Sequence, residues 1–494
     1  MKIKNYWALA VAFSYVFCVV GLMSCDKDDT SDVPEIPDVD TEVGIGTYIW
    51  GEDVYALGND AAETLAEMYS KTNIKTVYLL VKGSTGTVGF LANPNGEYKL
   101  ARTDRDILQE IITSMHARNI KVYAWLYCSE DNYYGETHPE DLCYHFRNGT
   151  KKMLPDLNSS QFIEYLCGMI KTIRENYQVD GFMFDHVRYN GLYFGWDKRD
   201  FTAMTTDPKI GMTLDEYNEV VRLMAATYAY PIAKNDEGRY VYNSDNPEIE
   251  ESIPNAIFNE ADKGNEAVAK LMKYRELTVD RISSALLSAC KGLPTMYASM
   301  PEVVTSPALA TLSYGTTIND THMFTYVSPM LYSQDYGENA KWVRKGCNFL
   351  HLHKYDCVPS LQAYGGTSTA ILQEDIAAVK AEGCANYILF QSFAYDIARV
   401  TAPERNTINI AYIKAAKSSA GTVKVNVSDA SKIKSVSFGG AFIGKQYTLD
   451  GNTLTVSGEN FMKIGDEGTI TFELTDNTEI TSVESDCIVW LDTD

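Results

Sequence analysis

The sequence predicts an α/β protein: a (β/α)8 TIM barrel with an insertion after strand 4, plus a C-terminal all-β sandwich domain. Three observations predict it. Eight short apolar segments rich in Val, Ile, Tyr and Phe recur between residues 44 and 419, with helix-like segments between them. Several of the eight are apolar on both faces, as strands of a parallel sheet covered by helices must be. From Ala420 onward the texture changes to short alternating strands separated by turn residues. Strand–helix alternation closes naturally into a barrel. An open doubly wound sheet would want a glycine-rich phosphate loop after its first strand, and none is present.

The strands are expected at 47–51, 76–82, 120–127, 179–185, 295–300, 326–332, 357–363 and 386–392. Helix 104–118 carries Ile107, Leu108, Ile111, Ile112 and Met115 on one face, with Thr103 as N-cap. Helix 159–177 repeats the pattern with Phe162, Ile163, Leu166, Met169, Ile170 and Ile173. A long amphipathic helix, 262–291, is stopped by Gly292 and Pro294. Helices 339–351, 369–382 and 406–417 complete the alternation. The stretch between Asp185 and Asp262 is too long for a simple connection. It holds a helical piece at 213–228 and a polar run at 235–259, and an insertion there falls on the barrel's C-terminal face, where binding loops lie. In the last domain, strands are expected at 423–427, 433–438, 447–449, 453–456, 469–474 and 488–491, with Asp450-Gly451-Asn452 as a hairpin turn. Its expected role is packing.

The N-terminus reads as a targeting segment. Lys2 and Lys4 precede an apolar run, 6–20, and then Gly21-Leu22-Met23-Ser24-Cys25. Leu22-Met23-Ser24-Cys25 resembles a bacterial lipobox, which makes 1–24 a lipoprotein signal peptide and Cys25 the lipidated residue. Asp26-Lys27-Asp28-Asp29 resembles the surface-export signal of Bacteroidetes lipoproteins. Residues 25–43, rich in Asp and with Pro34 and Pro37, read as a disordered tether. The expected location is the outer membrane or cell surface, with contact to the membrane through the lipid anchor alone. A formal net charge of −23 argues against nucleic acid as a partner and suits a neutral carbohydrate. The ten cysteines form no CxxC pair, so no metal and no cofactor are expected. Most sit in apolar surroundings as buried thiols; Cys128 with Cys143 is the pairing an oxidising compartment would permit.

In a barrel the strand ends define the site. They present Trp50, Glu52, Asp53, Lys82, Tyr127, Ser129, Glu130, Asp185, His186, Arg188, Tyr189, Ser299, Glu302, Tyr332, Gln334, Asp335, Gln362, Tyr364, Gln391 and Tyr395. Glycoside cleavage needs two carboxylates across the scissile bond. Aromatic rings suit the apolar faces of sugars, and the chain holds 33 tyrosines and 6 tryptophans. Asp185 is the leading carboxylate. It ends an apolar run, Phe182-Met183-Phe184, and is followed at once by His186, Arg188 and Tyr189. Asp180, at the other end of that strand, is expected to be structural. His351-Leu352-His353 lies late in a helix, where positions i and i+2 point apart, and reads as surface. The segment from Gly83 to Gly89 lacks the Lys-Ser/Thr ending of a phosphate loop and reads as a flexible mouth loop.

Val179-Asp180-Gly181-Phe182-Met183-Phe184-Asp185-His186-Val187-Arg188-Tyr189, preceded by Leu157-Asn158 and a helix, resembles the glycoside-hydrolase-like barrel proteins called glycosyl hydrolase-like family ten. That family shows an aspartate-glycine pair, an apolar triplet, an aspartate and then arginine-tyrosine-proline. Val122-Tyr123-Ala124-Trp125-Leu126, Tyr274-Arg275-Glu276-Leu277-Thr278-Val279 and Val327-Ser328-Pro329-Met330-Leu331-Tyr332 match more loosely. Asn190 departs from the pattern, standing where proline is usual. The resemblance covers roughly residues 45 to 400 and implies a carbohydrate-active barrel.

By that resemblance Asp185 is the nucleophile or the stabiliser of the oxocarbenium-like state, held ionised by Arg188. Glu302 is the first choice for the acid/base, with Asp335 and Glu130 as alternatives. Arg188, His186, Tyr189, Trp50, Glu52, Lys82, Tyr127, Tyr332, Asp335, Gln362 and Gln391 are the expected substrate-binding residues. The expected function is cleavage of glycosidic bonds in a poly- or oligosaccharide; the rival is a non-catalytic surface glycan-binding lipoprotein.

Overall fold

A computed structural model describes residues 43–245, 248–249, 251–318, 323–352, 357–364, 367–390, 410–416, 422–427, 429–438, 441–444, 448–457, 469–475, 479–483 and 488–491. The signal segment, Cys25, the tether, Gln391, Tyr395 and His353 lie outside these, as does the side chain of His351.

All eight expected barrel strands are present: β1 (Ile45–Trp50), β2 (Ile74–Lys82), β3 (Lys121–Tyr127), β4 (Gly181–Asp185), β5 (Thr295–Ser299), β6 (Tyr326–Leu331), β7 (Ser360–Gln362) and β8 (Tyr387–Phe390). Their ladder runs β1-β8-β7-β6-β5-β4-β3-β2, and β2 pairs back with β1, so the parallel sheet closes. Helices stand between the strands, making a (β/α)8 barrel. The register places Tyr127 of β3 beside Asp185 of β4, so the third and fourth strand ends finish level. Contacts divide the chain into two units, one built on residues 47–328 and the other on 44–46 with 329–494.

In the first unit, helix Ile107–His116 buries Ile107, Leu108, Ile111, Ile112 and Met115, as the periodicity predicts. Its N-cap is Asp106 rather than Thr103. Asp106 accepts from the Gln109 N–H and also from the Tyr177 hydroxyl, so the cap is fixed by a tertiary partner that local spacing does not reveal. Helix Ser160–Asn176 is capped by Ser159. The insertion folds as helices Lys198–Thr206 and Leu214–Tyr228, a small sheet from Pro231–Lys234, Tyr240–Tyr242 and Glu248–Ile249, and the short helix Ala256–Asp262. Together with helix Glu266–Cys290 it encloses its own core of Trp196, Met204, Tyr217, Met224 and Leu271. Each such side chain, fully buried, stabilises the fold by roughly 1.5–3 kcal/mol. One further elaboration has no counterpart in the predicted elements. Helix Asn132–Thr137 and the hairpin Leu142–His145/Gly149–Pro155 follow β3, so two successive strand ends carry built-up loops.

In the second unit, helices Ala340–Leu352 and Thr369–Ala381 flank β7 in the chain. The expected helix at 406–417 is instead a strand, β9 (Ile410–Ala416). It pairs antiparallel with β10 (Thr422–Val427) and parallel with a last strand, Ile488–Leu491. Its sequence, Ile-Ala-Tyr-Ile-Lys-Ala-Ala, suits either period, and the available partner strands decide it. The domain forms two sheets, one five-stranded and one four-stranded, with Val427, Val436, Leu454, Phe472 and Leu474 buried. Asp450-Gly451-Asn452 turns a hairpin in which Asp450 pairs with Thr453, and Gly451 has φ +57°. Among the described residues no helix is long and apolar enough to cross a membrane.

Candidate active site

Asp185 ends β4 at only 5% exposure. One carboxylate oxygen accepts the His186 backbone N–H at 2.7 Å, and the other accepts the Trp125 indole N–H at 3.3 Å. Trp125 points inward from the middle of β3 and carries Tyr48 and Trp50 edge-on against its ring, at 4.7 and 5.1 Å between centroids. Burial among these rings pushes the Asp185 carboxyl up to about 6, against the opposing pull of the Arg188 charge and the two hydrogen bonds. This corrects one expectation. Arg188 does favour the ionised form, but it makes no ion pair with Asp185, and burial outweighs it.

His186 turns the chain sharply, with φ +58°, a left-handed conformation that non-glycine residues rarely adopt. The turn lays its ring flat against Tyr127, centroids 4.5 Å apart, and between two carboxylates. Its Nε2 lies 3.8 Å from Asp185 Oδ1 and its Nδ1 lies 3.6 Å from Glu130 Oε1. Burial and the Arg188 charge hold the imidazole well below its ordinary value, so it is neutral. The two contacts and the width of one ring keep Asp185 and Glu130 within about 10 Å of each other, near enough for two-carboxylate chemistry.

Asn190, at the family's proline position, belongs to this cluster. Its amide donates to Glu130 Oε1 at 3.1 Å, and its carbonyl oxygen accepts from Ser129 at 3.3 Å and Arg188 at 3.4 Å. Proline could make none of these bonds. The Arg188 guanidinium lies 5.6 Å over the Tyr314 ring, and its Nε is buried without a hydrogen bond. A small pocket beside Arg188 and Asn190 is walled by Ser129, Leu154, Leu157 and Phe194.

Other predicted residues fall into place differently. Glu302 opens the short helix Glu302–Thr305, and its charge acts on the Tyr314 phenol; Glu130 is the carboxylate among the main influences on Asp185. Lys82 is fully buried. Its ammonium donates to the carbonyls of Tyr127 at 2.7 Å and Glu130 at 2.6 Å and forms an ion pair with Asp131 at 3.2 Å. It therefore anchors the Glu130 loop. Tyr189 is buried against the Arg275 guanidinium, 4.0 Å away, and Arg275 holds the carbonyls of Gly191, Phe194 and Ser313. Both residues brace the loop after β4. Glu52 is exposed on helix Gly51–Ala56. Asp180 accepts from the Val122 N–H at 2.7 Å and meets His116 Nε2 at 2.8 Å, a structural role at the far end of β4.

In the second unit, Asp335 is exposed and held by Gln362, which donates at 2.9 Å, and by the Tyr364 hydroxyl. Tyr332, Tyr364 and Phe390 pack ring to ring beside it, with centroids 5.1–5.9 Å apart. Cys128 and Cys143 are free thiols, so the permitted disulfide is not formed. Sequence reasoning missed Trp125 and Asn190 as members of the site. For Trp125 the signal was an inward-facing Trp one strand away from Asp185.

No family model matches this chain, and no curated protein matches it. Its fold is similar to several solved structures. The glycoside hydrolase domain of PgaB (BpsB) from Bordetella bronchiseptica is 12% identical, with 71% of this chain and 94% of that one covered and a TM-score of 0.48. Alpha-L-fucosidase isoenzyme 2 from Paenibacillus thiaminolyticus is 10% identical at a TM-score of 0.45, covering 76% of this chain but 52% of that one. A GH29 alpha-L-fucosidase from Bacteroides thetaiotaomicron is 12% identical, covering 89% and 95%, with a TM-score of 0.36. Likeness at this level concerns the fold, and the reading of the site rests on its own residues.

Proposed function

We propose that the protein is a surface-anchored glycoside hydrolase acting on a neutral poly- or oligosaccharide, with Asp185 and Glu130 as its carboxylate pair. The observation that carries this is the approach of both carboxylates to the two nitrogens of one ring, His186, at adjoining strand ends. Glycosidic cleavage requires a proton for the departing oxygen and a second carboxylate serving the anomeric carbon, directly or through water. Asp185, raised to about 6, is suited to deliver the proton in mildly acidic solution. Glu130 is the partner, oriented by Asn190 and by a loop tied down through Lys82. This exchanges the role that the family resemblance implies for Asp185, because burial rather than Arg188 dominates its environment. His186 is the group through which the pair is spaced.

Activity is expected to fall as pH rises through about 6, since Asp185 then loses the proton it must donate. The test is release of reducing ends from a panel of neutral glycans by the full chain and by Asp185→Asn and Glu130→Gln. Cleavage that survives both substitutions overturns the assignment. A second reading, glycan binding without cleavage, is favoured by the position of His186, which occupies the space between the two carboxylates. Binding of a glycan that the wild-type chain never cuts would establish it. Anchoring is proposed through Cys25. Cys25→Ala should release the protein from the outer-membrane fraction and remove the lipid mass from its N-terminal peptide.

A further inference from the structure

Three cysteines far apart in the sequence meet in the second unit. Cys347 lies on helix Ala340–Leu352, Cys357 just before β7, and Cys384 in the turn after helix Thr369–Ala381. Their sulfur atoms all lie within 4.8 Å of one another and are buried. None of the three is in a disulfide. A thiophilic ion with sulfur ligands at about 2.3 Å in tetrahedral geometry needs its sulfurs about 3.8 Å apart, so the trio has only to tighten slightly to close around one.

The scaffold is also held independently of any ion. Arg344, one turn before Cys347, forms a buried ion pair with Glu382, two residues before Cys384, and so ties two of the three segments together. By contrast Cys290, although Cys128 and Cys167 are near enough to act on it, is not in a trio at ligating distance, and its thiol donates to the Leu286 carbonyl one helical turn back.

We propose that Cys347, Cys357 and Cys384 form a binding site for one thiophilic d10 cation, Zn(II) or Cu(I), that pins the two helices of this unit to the β7 segment. Soft thiolate sets select these ions over hard ones. Each thiol that ligates releases one proton, and the oxidation state of the metal does not change. Zn(II) would complete four-coordination with a water; Cu(I) is content with three sulfurs.

The test uses the full chain, purified under reductant and then freed of reductant without air. Titration with Co(II) should give one equivalent of a sulfur-to-cobalt charge-transfer band, which Zn(II) bleaches. Competition against Zn(II)- and Cu(I)-specific chelators then distinguishes the two ions. Cys347→Ser, Cys357→Ser and Cys384→Ser should each abolish the band, and Cys290→Ser should leave it. A readout without substitution guards against variants that do not fold: bound Zn(II) should shield these three cysteines, and not Cys167, from alkylation mapped by mass spectrometry. Absence of both the Co(II) band and Cu(I) uptake against its chelator, survival of the band when all three cysteines are replaced, or isolation of the chain with two of the three sulfurs joined as a disulfide would each overturn the proposal. Glycan cleavage enters none of these measurements, so the outcome is independent of the reading of Asp185.

Discussion

Strand β4 begins next to one aspartate and ends on another, and the two live in opposite circumstances. Asp180, at the entry, is partly solvated and receives a backbone N–H from β3 and an imidazole from helix Ile107–His116. Asp185, at the exit, is sealed among aromatic rings, where burial outweighs the pull of Arg188. The same residue type on one strand is a fastener at one end and a strained acid at the other. What separates them is the supply of partners and water, which the fold distributes unequally between the two faces of a barrel.

Substitution can break this comparison, and the largest effect belongs to chemistry. Asp185→Asn should reduce glycan cleavage by about 10²–10⁴-fold while leaving folding intact, measured as initial rates on the best substrate. Glu130→Gln should follow, at about 10²-fold. If Asp180→Asn costs as much activity as either, the division between the two ends is wrong. Lys82→Met would leave the Asp131 carboxylate buried without its cation, and a loss of about 3–5 kcal/mol in urea denaturation is expected.

The two aspartates should also differ in the sign of their effect on stability. A carboxyl whose folded value lies near 6 rather than 3.8 favours the folded state fully below the unfolded value, and that advantage is lost as pH rises through 6. At pH 7 the ionised Asp185 therefore costs about 3 kcal/mol. Asp185→Asn should stabilise the protein at pH 7, and the gain should shrink toward pH 4. Asp180→Asn, which weakens satisfied hydrogen bonds, should destabilise by about 1 kcal/mol. Equal signs for the two at pH 7 would refute the contrast.

Much of this fold was legible because barrel strands advertise themselves. Phe182-Met183-Phe184 and Val122-Tyr123-Ala124-Trp125-Leu126 are apolar on both faces, and only a covered parallel sheet uses such runs. The strand at Ile410–Ala416 was misread as a helix because its apolar positions satisfy both periods. The hairpin Leu142–Pro155 was missed because its apolar residues fall in runs too short to read as strands, Leu142-Cys143-Tyr144 and Met153-Leu154, and its pairing is set by the loop it closes. Sequence pointed to Asp185 and chose Glu302 as its partner, where the proposed site pairs it with Glu130. Glu130 and Glu302 each follow a strand flanking β4, and sequence cannot say which turns toward it. The proposed choice of Glu130 rests on the left-handed turn at His186 and on Asn190, both tertiary outcomes. The cysteine trio was invisible for the same reason: its members follow no ligand spacing and meet only when two helices and a strand are assembled.

The segment after β2, expected to be a flexible mouth loop, is packed. Ser84 O receives the Asn132 N–H at 2.9 Å, and a Cβ at Gly86, where φ is +74°, would land on the Asp131 carboxylate. Any side chain there must dislodge the partner of Lys82, and with it the loop that presents Glu130. In a saturation library scored by turnover, position 86 would therefore look as intolerant as position 185. A map of mutational tolerance drawn on this protein would mark a residue buried behind the proposed site as brightly as the site itself. Only a parallel score for folded yield would tell the two kinds of intolerance apart.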